Sequence, residues 1–343
     1  SQVSSDNAPL QWPPQAPCRP SFFVIGAPKC GTTSLHGYLS SHPQVQPPAR
    51  KELCYFSRFK RHMQRNRPNA PSNNWDNYVA AFSGRIMTAS FEPQARFRRG
   101  AASCEHEGKH AFEACPFYLG EVHAAKAIRL TFPHLKVLAV LRNPRERAVS
   151  AFNDYVRVGR IRGPNASSAG MDAVLHEKVA LLRSGARALE SFDMRILSSG
   201  VYIHGLRAWS NHWPGSSMLV LRSEDLFGAT EVVMGRVQRF LGLSASFPSD
   251  ALRHVSNRNT LPSKSRPSRR LNATLDGFFA PYNAQLYAWA AARGIPFGRW
   301  ENASSSGTDP PAHACERLKD LQRSKAALSS RDWELLAACT TLL

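Results

Sequence analysis

The sequence predicts an α/β fold: a central parallel sheet flanked by helices, in a single domain over about residues 21–300. Three observations carry this. Short apolar runs alternate with segments of helical periodicity. A Gly-containing turn, Gly26-Ala27-Pro28-Lys29-Cys30-Gly31-Thr32-Thr33-Ser34, joins the first apolar run to a helix. A second strand-to-helix corner, Arg142-Asn143-Pro144, follows the clearest buried run.

Residues 1–20 are proline-rich, lack apolar periodicity and read as a stem or linker. Residues 21–26 form a buried strand ending at Gly26, and a helix starts near Thr33. Residues 58–76, rich in Arg, Asn and Pro, are an exposed excursion. A strand over 110–113 is stopped by Pro116, and a helix covers 122–131. Residues 135–141 (Leu-Lys-Val-Leu-Ala-Val-Leu) are the clearest buried strand, apolar at every position but Lys136, as a strand covered on both faces requires. A helix follows from 145 to about 158, then a Gly/Ser/Asn loop over 159–170. Helices at 171–184 and 201–212, a strand at 218–221 and a helix at 230–241 continue the alternation. Residues 256–270 are a basic Ser/Pro-rich loop, and 271–292 a helix interrupted near Pro281. Residues 301–343 are a polar linker and a small helical appendage.

Lys plus Arg number 44 against 25 Asp plus Glu, a surplus of +19. Such a chain attracts anions: nucleic acid, acidic polysaccharide, a nucleotide or an anionic membrane surface. No run of about 18 apolar residues exists, so any membrane anchor is expected upstream of this chain. Sequons stand at Asn165, Asn272 and Asn302. Seven cysteines include no C-x-x-C pair, which argues against a zinc knuckle. Cys104 with Cys115, and Cys315 with Cys339, are candidate disulfides in an oxidising lumen; buried reduced thiols are the alternative.

The turn over 26–34 is built for a phosphate. Between strand and helix, backbone N–H groups and the helix dipole point at one place. Gly31 lets the backbone approach an anion, Lys29 brings a point charge, and Cys30, Thr32, Thr33 and Ser34 complete the cradle. The Gly26 to Gly31 spacing is that of a Walker A loop, but Thr32 stands where that loop carries its Lys. This P-loop-like turn therefore suits a nucleotide other than ATP. A P-loop kinase is further disfavoured by the lack of a convincing Mg-binding carboxylate at a strand end.

The P-K-x-G-T-T-S pattern resembles the 5′-phosphosulfate-binding motif of the sulfotransferase family. The segment Arg142-Asn143-Pro144-Arg145-Glu146-Arg147-Ala148-Val149-Ser150 resembles that family's 3′-phosphate-binding corner, with Arg142 and Ser150 as the contacts. Eight residues is about two helical turns, which puts both side chains near one face. Residues 200–209, 219–226, 240–243 and 278–286 look like the carbohydrate and heparan-type branch, although core packing is the better account of Tyr202, Leu206 and Trp209, which stand at helical spacing.

The resemblance implies PAPS (3′-phosphoadenosine 5′-phosphosulfate) as donor, PAP as product, and no required metal. It implies Lys29 as the charge on the leaving phosphate and Glu113 as catalytic base. Many relatives carry Lys after this Glu, where Ala114 stands here. His36, His106 and His110 are fallback bases. Lys264 and Arg266, with Arg269 and Arg270, are placed to close over the adenosine end. The expected acceptor is a hydroxyl or amino group of an acidic glycan, with a small metabolite or a tyrosyl protein as alternatives. Nucleic acid is not an expected partner; a basic nucleic-acid- or heparin-binding module would explain the charge but not the paired phosphate motifs. The expected location is the Golgi lumen, as the luminal part of a type II membrane protein.

Overall fold

Strand β1 (Pro20–Gly26) is the centre of the sheet because both its faces are apolar: Phe22, Phe23, Val24 and Ile25 are all 0% exposed. It pairs in parallel with β3 (His110–Ala114) on one side and β4 (Lys136–Leu141) on the other. A two-residue strand β2 (Val45–Gln46) runs parallel to β3. With β5 (Met218–Arg222) the strand order is β2-β3-β1-β4-β5. Phe22 and Phe112 stack across the β1–β3 register with centroids 5.1 Å apart. This computed structural model describes residues 10–14, 18–58, 75–82, 108–189, 194–253 and 264–300.

Parallel strands need crossover connections, and helices supply them. Helix α1 (Thr32–Ser41) follows β1, α2 (Trp75–Ala80) precedes β3, α3 (Val122–Thr131) joins β3 to β4, and α4 (Pro144–Arg157) follows β4. Then come α5 (Ser168–Arg183), α6 (Arg195–Ser198), α7 (Tyr202–Ser210), α8 (Ser223–Gly228), α9 (Thr230–Leu241), α10 (Ser249–Leu252) and α11 (Arg269–Ala291). Two compact units emerge from the contacts. One takes residues 1–140, 204–219 and 237–258; the other takes 141–203, 220–236 and 259–343. Among the described residues no helix is long and apolar enough to cross a membrane.

The first unit carries the core around β1. Trp209 and Trp213 are buried with ring centroids 4.9 Å apart, and their indole N–H groups donate to Tyr118 O at 3.2 Å and Leu135 O at 2.7 Å. In the second unit, Arg147 is 1% exposed and donates to Ile196 O, tying α4 to α6.

Four local expectations are corrected. The stretch at 159–170 is not all loop, because Ser167 Oγ accepts from Gly170 N–H at 3.0 Å and starts α5 at Ser168. Helix α11 runs unbroken through Pro281; Phe278, Phe279, Asn283 and Leu286 bury one face, which offsets the missing backbone bond. The last two residues of the 58–76 excursion, Trp75 and Asp76, open helix α2, while Arg58 and Asp76 are exposed as expected and residues 59–74 lie outside the described residues. Cys115 bonds to Cys54, not Cys104, with Cα atoms 5.2 Å apart. Because β2 lies beside β3, the chain leaving β2 passes the residue that follows β3. Cys18 is also disulfide-bonded, and Cys30 remains a buried thiol. Cys104, Cys315, Cys339, His106, Asn302 and the 301–343 appendage lie outside the described residues.

Trp213→Phe keeps most of the buried ring but removes the donor to Leu135 O. Chemical denaturation should show a loss of about 1–3 kcal/mol, the cost of stranding a buried carbonyl.

Candidate active site

The loop predicted to hold a phosphate grows from the end of β1. Ala27 N–H donates to Val140 O at 2.7 Å, so the chain stays on the sheet until it turns. A side chain at Gly26 would put its Cβ 2.6 Å from Leu119 Cβ, so only glycine fits there. The turn needs a left-handed residue, and Lys29 supplies it at φ 67°, a conformation that costs a non-glycine residue energy. Gly31 follows at φ 92° as the N-cap of α1. It has no side chain to cap the helix, and no acidic residue lies in the first turn. The N-cap therefore contributes no side-chain acceptor to the amides entering α1. Cys30 is an exception within the predicted cradle: its N–H donates to Ala27 O at 3.3 Å and its side chain is buried. Thr32 and Ser34 are buried and Thr33 is half-buried.

Glu113, on β3 beside β1, is the focus of the same unit. It is 0% exposed. Its Oε1 accepts from Cys54 N–H at 2.6 Å and Tyr118 O–H at 2.9 Å, and its Oε2 accepts from Tyr78 O–H at 2.7 Å. Burial raises its pKa to about 7, and the two tyrosine hydroxyls and the Cys54 amide pull the other way. Burial, followed by the charge of Glu113, drives the Tyr78 and Tyr118 hydroxyls well above the usual phenol value. The hydroxyls therefore stay protonated and donate.

Of the fallback bases, His36 is buried on α1 against the Phe112 ring, with centroids 5.1 Å apart. Burial, then the Lys51 charge, pushes its pKa down to about 4. His110 opens β3, at the opposite end of the strand from Ala114, and burial lowers its pKa.

The second unit holds the other predicted phosphate-binding segment. Asn143 caps α4, its Oδ1 accepting from Arg145 N–H at 3.0 Å, and Pro144 occupies the first turn. Asn143 N–H donates to Glu224 Oε1 at 2.8 Å, and Tyr202 O–H donates to Arg142 O at 2.8 Å. The corner is pinned from two sides while the Arg142 side chain stays 34% exposed, 3.8 Å from Glu146. Ser150 is half-buried on α4. Tyr202 thus has a role beyond the packing expected of it; Leu206 and Trp209 are buried as their helical spacing predicts.

The basic segment after residue 263 is fixed to the same unit. Asn153 Nδ2 donates to Ser265 O at 3.1 Å and Oδ1 accepts from Ser265 N–H at 3.0 Å. Arg266 N–H donates to Ser168 Oγ at 2.9 Å, and Ser268 N–H to Asp172 Oδ1 at 3.1 Å. The Lys264 and Arg266 side chains remain exposed, while Arg269 and Arg270 open α11. Asn153, one turn past Ser150, was not singled out by sequence. Its signal is faint: an Asn inside a helix, where it normally weakens the helix.

Residues 19–277 match the family described as Sulfotransferase domain. A bifunctional heparan sulfate N-deacetylase/N-sulfotransferase 1 of Caenorhabditis briggsae is 23% identical over 316 residues, covering 84% of this chain and 32% of that protein. Carbohydrate sulfotransferase 15 of Rattus norvegicus is 25% identical over 318 residues, covering 78% of this chain and 53% of that protein. The chain therefore spans a minor part of the first relative and about half of the second. A sulfotransferase from Alicyclobacillus acidocaldarius superposes with a TM-score of 0.56 at 25% identity, covering 80% of this chain and 96% of that one.

The Glu113 carboxyl sets a pH dependence. Its folded pKa of about 7 exceeds its ordinary value of 4.5, so between those limits the folded state holds more protons than the unfolded state. Stability is then greatest below pH 4.5 and falls as pH rises through 7, by roughly 3 kcal/mol for this group. Denaturation of wild type against Glu113→Gln from pH 4.5 to 8 should show wild type losing stability relative to the variant across that window.

Proposed function

The chain belongs to the sulfotransferase-domain family, and from that premise we propose that it moves a sulfuryl group from PAPS to a hydroxyl or amino group of an anionic glycan. The observation that carries the reading is the loop over 26–34. It is a left-handed turn at Lys29 running into a helix whose N-cap is Gly31, a residue with no side chain to occupy the helix entrance. That arrangement suits a phosphosulfate. The glycan acceptor is supported by the similarity to proteins named for heparan sulfate and carbohydrate sulfation, and by the +19 charge.

PAPS supplies a sulfuryl group already attached to a good phosphate leaving group. Lys29 and the α1 amides offset the charge that grows on that phosphate. In the second unit, Arg142 offers a guanidinium fork and Ser150 a hydroxyl for the 3′-phosphate, with Lys264 and Arg266 adding charge. Glu113 takes the acceptor proton as the acceptor oxygen or nitrogen bonds to sulfur and the sulfur–phosphate oxygen bond breaks. A pKa near 7 suits that task. Because Glu113 is fully enclosed, the acceptor must displace the Tyr78 or Tyr118 hydroxyl from it.

That enclosure also favours a second reading, in which Glu113 is structural and holds the Cys54 segment through the 2.6 Å bond to its amide. A Golgi-lumen location fits the Cys54–Cys115 disulfide and the exposed sequon Asn165.

Calorimetry should show PAP binding on the order of micromolar. Arg142→Ala and Lys29→Ala should each weaken it by about 10- to 100-fold, the worth of a charge-assisted hydrogen bond. Absence of PAP binding by folded wild type rejects the reading. Glu113→Gln should keep PAP affinity and lose about 100-fold or more in transfer from labelled PAPS to N-desulfated heparin. A loss below about tenfold assigns Glu113 the structural role.

A further inference from the structure

Lys51 belongs to none of the recognised motifs, yet it reaches the phosphate loop. It follows β2, and its Nζ donates to Thr33 Oγ1 at 2.8 Å and pairs with Glu52 Oε1 at 3.1 Å. A lysine ammonium only donates, so Thr33 Oγ1 is the acceptor in that bond. The single hydroxyl proton of Thr33 is thereby directed away from Lys51 and left to donate elsewhere. Thr33 is the second residue of α1, beside the uncapped Gly31.

The chain that carries Lys51 is held against its own preferences. Glu52 and Cys54 both adopt left-handed backbone, at φ 61° and 55°. Non-glycine residues stay in that region only where the surroundings over-determine them. Here Cys54 is bonded to Cys115 and its N–H donates to Glu113. The Ser57 hydroxyl donates to Glu121 Oε1 at 2.6 Å, and Arg58 N–H to Glu121 Oε2 at 2.8 Å. Four anchors on one short segment fix where Lys51 can point.

The charge is felt on the same face of α1. His36 lies one turn beyond Thr33, and its Nε2 is buried with no hydrogen-bond partner. It stays neutral at ordinary pH, through burial and then the charge of Lys51. Lys51 therefore brings positive charge to this face without competition from a histidinium.

We propose that Lys51 is a second cation of the sulfuryl-transfer centre, a positioning residue that acts through Thr33 by turning its hydroxyl into a donor for the transferring group. This rests on the sulfotransferase reading above and adds a residue to it. The role is distinct from that of Lys29, which lies in the loop itself.

The test uses the whole chain, labelled PAPS, N-desulfated heparin as acceptor probe, and PAP calorimetry. Lys51→Met should lower kcat by about 10- to 100-fold, the usual scale for losing one preorganised donor. PAP affinity should stay within about threefold and the melting temperature near wild type, since methionine keeps the packing of the largely covered lysine stem. Lys51→Arg should restore part of kcat. Thr33→Val should lower kcat similarly, and the Lys51→Met/Thr33→Val double variant should be no worse than the poorer single, because the two act as a unit. Where Lys51→Met folds poorly, Lys51→Gln replaces it under the same criteria. A kcat within about threefold of wild type in these variants, or fully additive losses, overturns the proposal. Wild type that fails to bind PAP overturns the underlying reading instead. Wild type that binds and transfers while the Lys51 variants match it overturns this inference alone.

Discussion

The enclosure of Glu113 is the constraint on which the rest of the first unit depends. A carboxyl group buried without partners is strongly disfavoured. Here three donors arrive from three separate stretches of chain: the Cys54 amide, the Tyr78 hydroxyl and the Tyr118 hydroxyl. Those stretches are the segment after β2, helix α2 and the turn after β3. None of them has a long regular element of its own to fix its place. The carboxylate, able only to accept, demands donors from all three at once. The disulfide between Cys54 and Cys115 closes the same junction covalently.

The phosphate loop depends on that junction indirectly. Gly26 packs against Leu119 closely enough to exclude any larger residue, and Leu119 follows directly on Tyr118. Lys51, carried by the strapped segment, reaches Thr33. The carboxyl group and the loop are therefore coupled through residues 50–58 and 116–121, with Lys51 and Leu119 as the points of contact. In the second unit the logic is simpler. Asn143, Glu224 and Tyr202 pin the backbone of the Arg142 corner, while its guanidinium stays part-exposed beside Glu146.

Much of this was legible in the sequence because it is local. β1, β4 and β5 are mostly apolar runs, and a run buried on both faces announces a parallel strand. Both phosphate motifs are contiguous, so their residue types and spacings survive in one dimension. What escaped is what depends on chain segments meeting. β2 has two residues and leaves no periodicity to read. Cys54 and Cys115 stand 61 residues apart, and nearness in sequence pointed to Cys104 instead. Lys51 looks like any solvated lysine until β2 is seated beside β3. Pro281 announced a break that the buried face of α11 overrides. Glu113 was visible as a carboxylate at a strand end, but its three donors, and the extent of its burial, were not.

The same enclosure sets stability against chemistry. Burial holds the Glu113 proton to near neutral pH, while the three donors favour the ionised form. Here they oppose each other, and the balance falls close to pH 7, where a proton acceptor is most effective. An amide at this position would hold no exchangeable charge and would turn an N–H toward at least one of the donors. The opposition is therefore a property of a carboxyl group in this cage and not of the cage alone. Under the proposed function this balance favours Glu113 as proton acceptor over His36, whose burial keeps it neutral but whose pKa has fallen to about 4, too low for an effective base.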